Sequence, residues 1–273
     1  MPDTVAPVPR AEPPQVVGYR HLPTLIPLVI TVLALFFVDR SLDQQEQASL
    51  NRQFQAHAAR LHDRLRERIS TYDEILRGAA GFVAASEHVS RSEWRDYVSA
   101  LALDEGYVGI QGLGYSQLIR PEQLNQHIQS VRAEGYPEYS VTPVGERPVY
   151  SAIVYLEPFY GRNLRAFGFD MYAEPVRRAA MERATLTADI AYSGKVRLVQ
   201  ETDSDVQPGV LAYLPVYQGG RKPATEAMRR QNMVGWVYAP FRLKDLITAV
   251  LQTELNVSQV QLYDLGPDGA APP

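Results

Sequence analysis

Few residues in this sequence could do covalent or redox chemistry, and their spacing argues against it. There is no cysteine, which excludes disulfides, thiolate metal sites and cysteine nucleophiles. The 5 histidines, His21, His57, His62, His88 and His127, are scattered. His57 and His62 miss the i, i+4 spacing that sets two imidazoles on one helical face, so no metal site is expected. Gly109, Gly112 and Gly114 in GIQGLG have the wrong order for a dinucleotide fingerprint and no helix directly behind them, which leaves tight strand geometry as their explanation. No Gly-x-Ser-x-Gly elbow is present, and Gly194-Lys195 precedes a strand pattern. Glu157 and Asp170 could in principle work as acid and base. Asp170, however, stands immediately before a helix, where a carboxylate satisfies backbone donors or an arginine such as Arg177, and both are expected to be structural. No catalytic residue and no cofactor is expected, and the chain is not expected to be an enzyme.

Tyrosine is abundant, with 16 residues. Tyr107, Tyr115, Tyr150, Tyr155, Tyr213, Tyr217 and Tyr238 fall in or beside strand patterns. Rings with a polar tip build pockets for small planar or amphipathic ligands, and they equally build ordinary cores.

The elements that must position these rings can be read from the patterning. Lys and Arg total 27 against 31 Asp and Glu, a net charge of -4, too weak a field for a nucleic-acid partner. Residues 1–21 read as a Pro-rich disordered tail. The uncharged run Leu22 to Val38 reads as a transmembrane helix of about 25 Å, with no cleavage signal after it. From Ser41 to Ser86 apolar residues recur every three or four positions, including Leu50, Phe54, Leu61, Leu65, Ile69 and Tyr72, which predicts a stalk helix whose stripe a second copy would cover. Ser90-Arg91-Ser92-Glu93 is a capping box opening a helix with Trp94, Tyr97, Val98 and Leu101. Tyr107–Tyr115 reads as a strand, Pro121 as the start of a helix, and Val149–Pro158 as a central strand because it is apolar on both faces. Phe167–Met171 reads as extended, followed by a helix from Pro175. Strands are expected at Val196–Gln200, Val210–Tyr217, Val234–Ala239 and Val257–Tyr263, with a helix from Leu243 to Leu251. This order predicts an α+β fold with antiparallel sheets, enough for two small sheets in tandem.

The segment GFDMYAEPVRRAAMERA, Gly168 to Ala184, resembles the signature of the CHASE sensory domains found outside the membrane in receptor histidine kinases and nucleotide cyclases. VRLVQE from Val196, GVLAYLPVY from Gly209 and GWVYAPFRLKDLI from Gly235 follow in the family's order. The likeness covers about Arg91 to Ile247. It implies a long N-terminal helix carrying two tandem PAS-like modules, a membrane-distal one at 87–200 and a membrane-proximal one at 201–273, dimerised along a stalk at 39–86. It places the ligand site in the distal module, at Tyr150 and its strand neighbours, Phe169 and Ser193; Tyr155, Tyr115 and Gln111 complete the candidate set. Plant cytokinin receptors of the family carry an Asp just before the strand tyrosine, where Pro148 and Val149 stand here. An adenine edge left unpaired there would cost about 1–3 kcal/mol, so a different small ligand is expected.

The expected protein is therefore the extracytoplasmic small-ligand sensor region of an inner-membrane receptor, a homodimer whose output is a histidine kinase or a cyclic-di-GMP enzyme. A membrane-anchored binding or scaffold protein without output is the alternative.

Overall fold

The computed structural model describes residues 22–103, 107–202 and 206–251, with side chains from residue 27 onward. The Pro-rich start and the strand expected at Val257–Tyr263 lie outside the described residues. The chain divides into two units, Met1–Arg60 and Leu61–Pro273.

The first helix, α1, runs Leu22–Ala85. In the first unit its apolar side chains are uncovered, among them Phe37 at 72% and Phe54 at 73% exposure. Among the described residues no helix is long and apolar enough to cross a membrane. The described uncharged stretch, residues 27–38, rises about 18 Å at the helical 1.5 Å per residue, short of a hydrocarbon core of about 30 Å. The remaining five residues of the expected span fall where side chains are not described.

In the second unit α1 buries Tyr72, Ile75, Leu76 and Ala79, the last part of the stripe read from the sequence. The capping box forms as expected: the Glu93 N–H donates to Ser90 Oγ at 3.2 Å and the Ser90 N–H to Glu93 Oε2 at 2.8 Å. It opens α2 (Arg91–Ala100), which buries Trp94 and Val98. Next come β1 (Leu113–Ile119) and a 3-10 turn from Pro121 leading into α3 (Leu124–Ala133). After β2 (Tyr150–Glu157) and α4 (Pro175–Thr187) follow β3 (Ala191–Tyr192), β4 (Gly209–Tyr217), α5 (Glu226–Asn232), β5 (Met233–Arg242) and α6 (Leu243–Leu251).

The described strands form one antiparallel sheet in the order β2-β1-β5-β4-β3. This corrects the expectation of two tandem sheets: of the strands assigned to a second module, β5 pairs directly with β1 of the first and β4 pairs with β5. It also corrects the placing of β2 as a central strand. Its burial on both faces comes from the layers above and below, while it lies at the sheet edge. That edge is protected by the segment after Ala166, where the Gly168 N–H donates to the Ile153 carbonyl at 2.9 Å and the Ile153 N–H to the Phe169 carbonyl at 3.1 Å. Gly168 has φ +79, and a Cβ there would lie 2.2 Å from the Ser140 carbonyl oxygen, so the signature glycine is set by close approach of two backbones. The strand expected at Val196–Gln200 is a single bridge, Val196 to Gly209.

The sheet has two unlike faces. One packs on α1 and α2 through Leu113, Tyr115, Leu214 and Val237. The other packs on α4 through Ile153, Tyr213, Trp236 and Tyr238.

Candidate functional site

The face toward α1 and α2 is covered only in part. Between the last turn of α1, the segment 86–89, α3 and the sheet lies an open cleft of about 1020 Å³. Its floor is β1, a central strand, and there Gln117 is exposed although both neighbouring strands are paired to it. Its cross-strand neighbours are Ala152 and Gly235, which leave the amide standing clear. A Cβ on Gly235 would come within 2.4 Å of the Ser116 carbonyl and 2.6 Å of the Tyr115 hydroxyl, so only glycine lets the Tyr115 ring lie over β5.

A β-bulge shapes one wall. Tyr115 pairs with Tyr155, but Ser116 pairs with Ile153, so Val154 is skipped and Val154 and Tyr155 both face the cleft. The Tyr155 hydroxyl donates to the Val89 carbonyl at 2.6 Å and the Tyr115 hydroxyl to the Val234 carbonyl at 3.1 Å. Burial raises the pKa of both phenols, which stay protonated.

Arg91, the first residue of α2, closes the inner end. It donates to Glu134 Oε2 at 2.7 Å and to the Val154 carbonyl at 2.6 Å, and its guanidinium lies 4.6 Å from the Tyr136 ring centre, 5.0 Å from Phe167 and 5.3 Å from Tyr155. His127 of α3 is neutral: burial first, and then Arg91, push its pKa down to about 4. Its Nε2 lies 2.8 Å from the Tyr139 hydroxyl. The other polar side chains of the lining include the amides and hydroxyl of Gln123 in the 3-10 turn, Gln126 and Ser130 along α3 and Gln218 after β4, together with the exposed Glu87 and His88.

Of the candidates read from the sequence, the structure brings Tyr115 and Tyr155 into this cleft. Tyr150 lies on the same face but packs in the core under α3, its hydroxyl donating to the Gly145 carbonyl at 2.9 Å. Gln111 contributes only backbone, accepting from Asn163 Nδ2 and donating to the Pro240 carbonyl. Phe169 lies against the other core, beneath Arg177, whose guanidinium is 5.4 Å from its ring centre. Ser193 is buried at the sheet edge, accepting from the Leu211 N–H at 3.0 Å.

Asp170 is fully buried at 0% exposure. Its Oδ1 accepts from the Ser151 and Tyr172 N–H groups at 2.8 and 3.0 Å, and its arginine is Arg147, Nε at 3.5 Å from Oδ2. Arg177, the partner suggested by sequence proximity, turns instead to the Arg197 carbonyl and Glu174. Burial raises the Asp170 pKa against the opposing pull of these donors. Its Oδ2 and the Tyr238 hydroxyl are buried without a hydrogen-bond partner. Glu157 has partners of its own, the Phe159 N–H at 2.8 Å and Arg95 at 3.4 Å. Among the described residues no group of histidine and acidic side chains is arranged to hold a metal.

The residues that sequence reasoning missed are Gln117, Arg91 and the amides of α3. The strand read from the sequence ended at Tyr115, two residues before Gln117, and in LGYSQLI the neighbouring Ser116 is polar as well, so polarity alone does not single Gln117 out.

One antiparallel sheet between helical layers, with an open polar cleft on one face, defines an α+β domain. The chain belongs to the CHASE domain family, whose model matches residues 87–273. It carries a sensory domain. No curated protein sequence matches the chain. Among solved structures, a "Methyl-accepting Chemotaxis protein X" is similar at 15% identity and a TM-score of 0.30, over 69% of this chain and 65% of that one.

Proposed function

We propose that this chain is the ligand-sensing region of a membrane receptor and that the cleft over Gln117 is where a small molecule binds, without being chemically changed. The observation that carries this reading is that the cleft joins the sheet floor to the last turn of α1, residues Val83 to Ala85. A ligand held between them acts on the helix that also carries the apolar run Leu22–Val38. In this reading that run is the anchor in the inner membrane, residues 39–86 form a stalk paired with a second copy, and the domain lies outside the cytoplasm. Exposed Leu50 and Phe54 supply the apolar stripe for such pairing. The output would be a histidine kinase or a cyclic-di-GMP enzyme.

A second placement of the ligand is favoured by one observation: the Tyr238 hydroxyl, on the face toward α4, is buried without a hydrogen-bond partner, and Asp170 Oδ2 has no hydrogen bond beside its 3.5 Å ion pair with Arg147. A buried polar atom left unpaired costs about 1–3 kcal/mol, and a ligand donor would remove that cost.

A thermal-shift screen of the whole chain in detergent or nanodiscs against small metabolites separates the readings. A ligand whose stabilisation is lost in Gln117→Leu and kept in Phe169→Leu supports the cleft. The reverse pattern moves the site to the Asp170 face. No shift across a broad library favours an anchored scaffold that meets a protein partner.

A further inference from the structure

The geometry points to an uncharged polyhydroxylated molecule, of the saccharide class, as the ligand of the cleft; this deepens the proposed function and rests on the cleft being the site. The first ground is the chemistry of the polar lining. Gln117, Gln126 and Gln218 make no side-chain hydrogen bond among the described residues, and Gln123 only accepts a long one, 3.4 Å, from the Arg120 N–H. A glutamine amide presents donor and acceptor together, and a hydroxyl group is the ligand function that answers both. A carboxylate would use only the donors and an ammonium only the acceptors.

Charge gives the second ground. Arg91 is already matched by Glu134 and the Val154 carbonyl and is enclosed by three aromatic rings, so it offers an anion nothing free. His127 is uncharged at neutral pH, and the lining's other imidazole, His88, is exposed to water. The one further acid of the lining, Glu87, is exposed, so an ammonium at the floor would have no carboxylate beside it. Desolvating a net charge there without a partner is disfavoured. The third ground is that apolar walls alternate with the amides. Val83, Val154, Val216 and Val234, with the rings of Tyr115 and Tyr155, offer surface for the C–H faces of a sugar ring.

The test holds shape constant and varies charge. Glucose, glucuronate and glucosamine, with maltose as a longer neutral probe, are titrated into the full chain by calorimetry, at pH 7 and fixed ionic strength. The expected result is binding of glucose or maltose at least tenfold tighter than of either charged analogue, weakened at least tenfold by Gln117→Leu and by Gln126→Ala. Both substitutions are at exposed positions, and the unliganded melting temperature checks that the variants fold. If glucuronate or glucosamine binds as tightly as glucose and remains sensitive to both variants, the saccharide assignment falls and the cleft stands. Sugar binding untouched by either variant overturns the cleft itself. If no sugar binds up to tens of millimolar while amino acids or dicarboxylates do so in a Gln117-dependent way, the ligand class is overturned and the site is kept.

Discussion

Replacing Arg91 by alanine should destabilise the fold by about 3 kcal/mol, a large effect for one residue at the first position of a helix. The Val154 carbonyl loses a charged donor at 2.6 Å, a bond worth about 1.5–3 kcal/mol when both groups are shielded. The three rings around the guanidinium lose a cation–π partner, about 1 kcal/mol for a side chain that is 17% exposed. Glu134, 42% exposed, regains water and adds less than about 1 kcal/mol. Against these, a positive charge at the first position of α2 opposes the helix dipole, and its removal returns about 0.3–1 kcal/mol. Lysine at position 91 keeps the charge but lacks the flat fork that stacks and donates twice, so Arg91→Lys should lose about half as much. Equilibrium urea unfolding at pH 7 measures both, with the slope on denaturant concentration unchanged. A loss below about 1 kcal/mol for Arg91→Ala would mean that the arginine is a surface residue resting on the rings and that the inner end of the cleft is not built as described.

The pH dependence of Asp170 has a defined sign. Its folded pKa lies above the ordinary 3.8, so its contribution is fully present below that pH and is lost as pH rises through the folded value. Asp170→Asn should therefore flatten the fall in melting temperature above about pH 4 and, keeping the two backbone bonds to Oδ1, stay within about 1 kcal/mol of the parent at pH 7. Arg242→Met should cost about 3 kcal/mol in chemical denaturation, because it leaves Glu201, whose side chain is 1% exposed and accepts from Arg242 Nε at 2.9 Å, without its ion partner and with the Gln207 N–H at 3.3 Å as the remaining donor. Ser90→Ala should cost about 1 kcal/mol by the same assay through loss of the α2 cap, and Ser90→Asn should recover most of it.

Helices were legible wherever local chemistry decides them. The Ser90 capping box, Pro175 at the first turn of α4 and the α1 stripe each fix an element within a few residues. The sheet was less legible because strand order depends on contacts far apart in sequence. The alternation that shows Tyr150–Glu157 to be buried on both faces says nothing about how many neighbours it has. Here α3 and α4 supply the burial that a second neighbour strand was expected to supply.

The candidate site was split for a related reason. A strand alternates faces, so Tyr155 and Ile153 should share one face and Tyr150 and Val154 the other. The bulge at Val154 breaks that rule and turns Tyr155 into the cleft. Nothing in the sequence marks the bulge. Likewise the ion partner of Asp170 is Arg147, on the segment before β2, whereas local spacing suggested Arg177 on the following helix.

On the proposed reading, the energetics say which cleft contacts must carry a signal. Micromolar binding amounts to about 8 kcal/mol, and inverting a two-state equilibrium from 1:99 to 99:1 needs about 5.5 kcal/mol of preference for one state. About two thirds of the binding energy must then come from groups whose position differs between the states. Gln117 and Tyr115 sit on a fully paired sheet and are poor candidates for movement. The last turn of α1, the segment 86–89 and the turn Gln218–Gly220 are better ones: a Cβ on Gly220 would lie 3.4 Å from the Ala84 side chain, so this turn packs on the helix end. Ligand should accordingly slow amide hydrogen exchange in residues 80–89 more than in β1. If protection rises in β1 alone, the ligand binds the floor without discriminating between helix positions, and the cleft is a binding site that does not signal through α1.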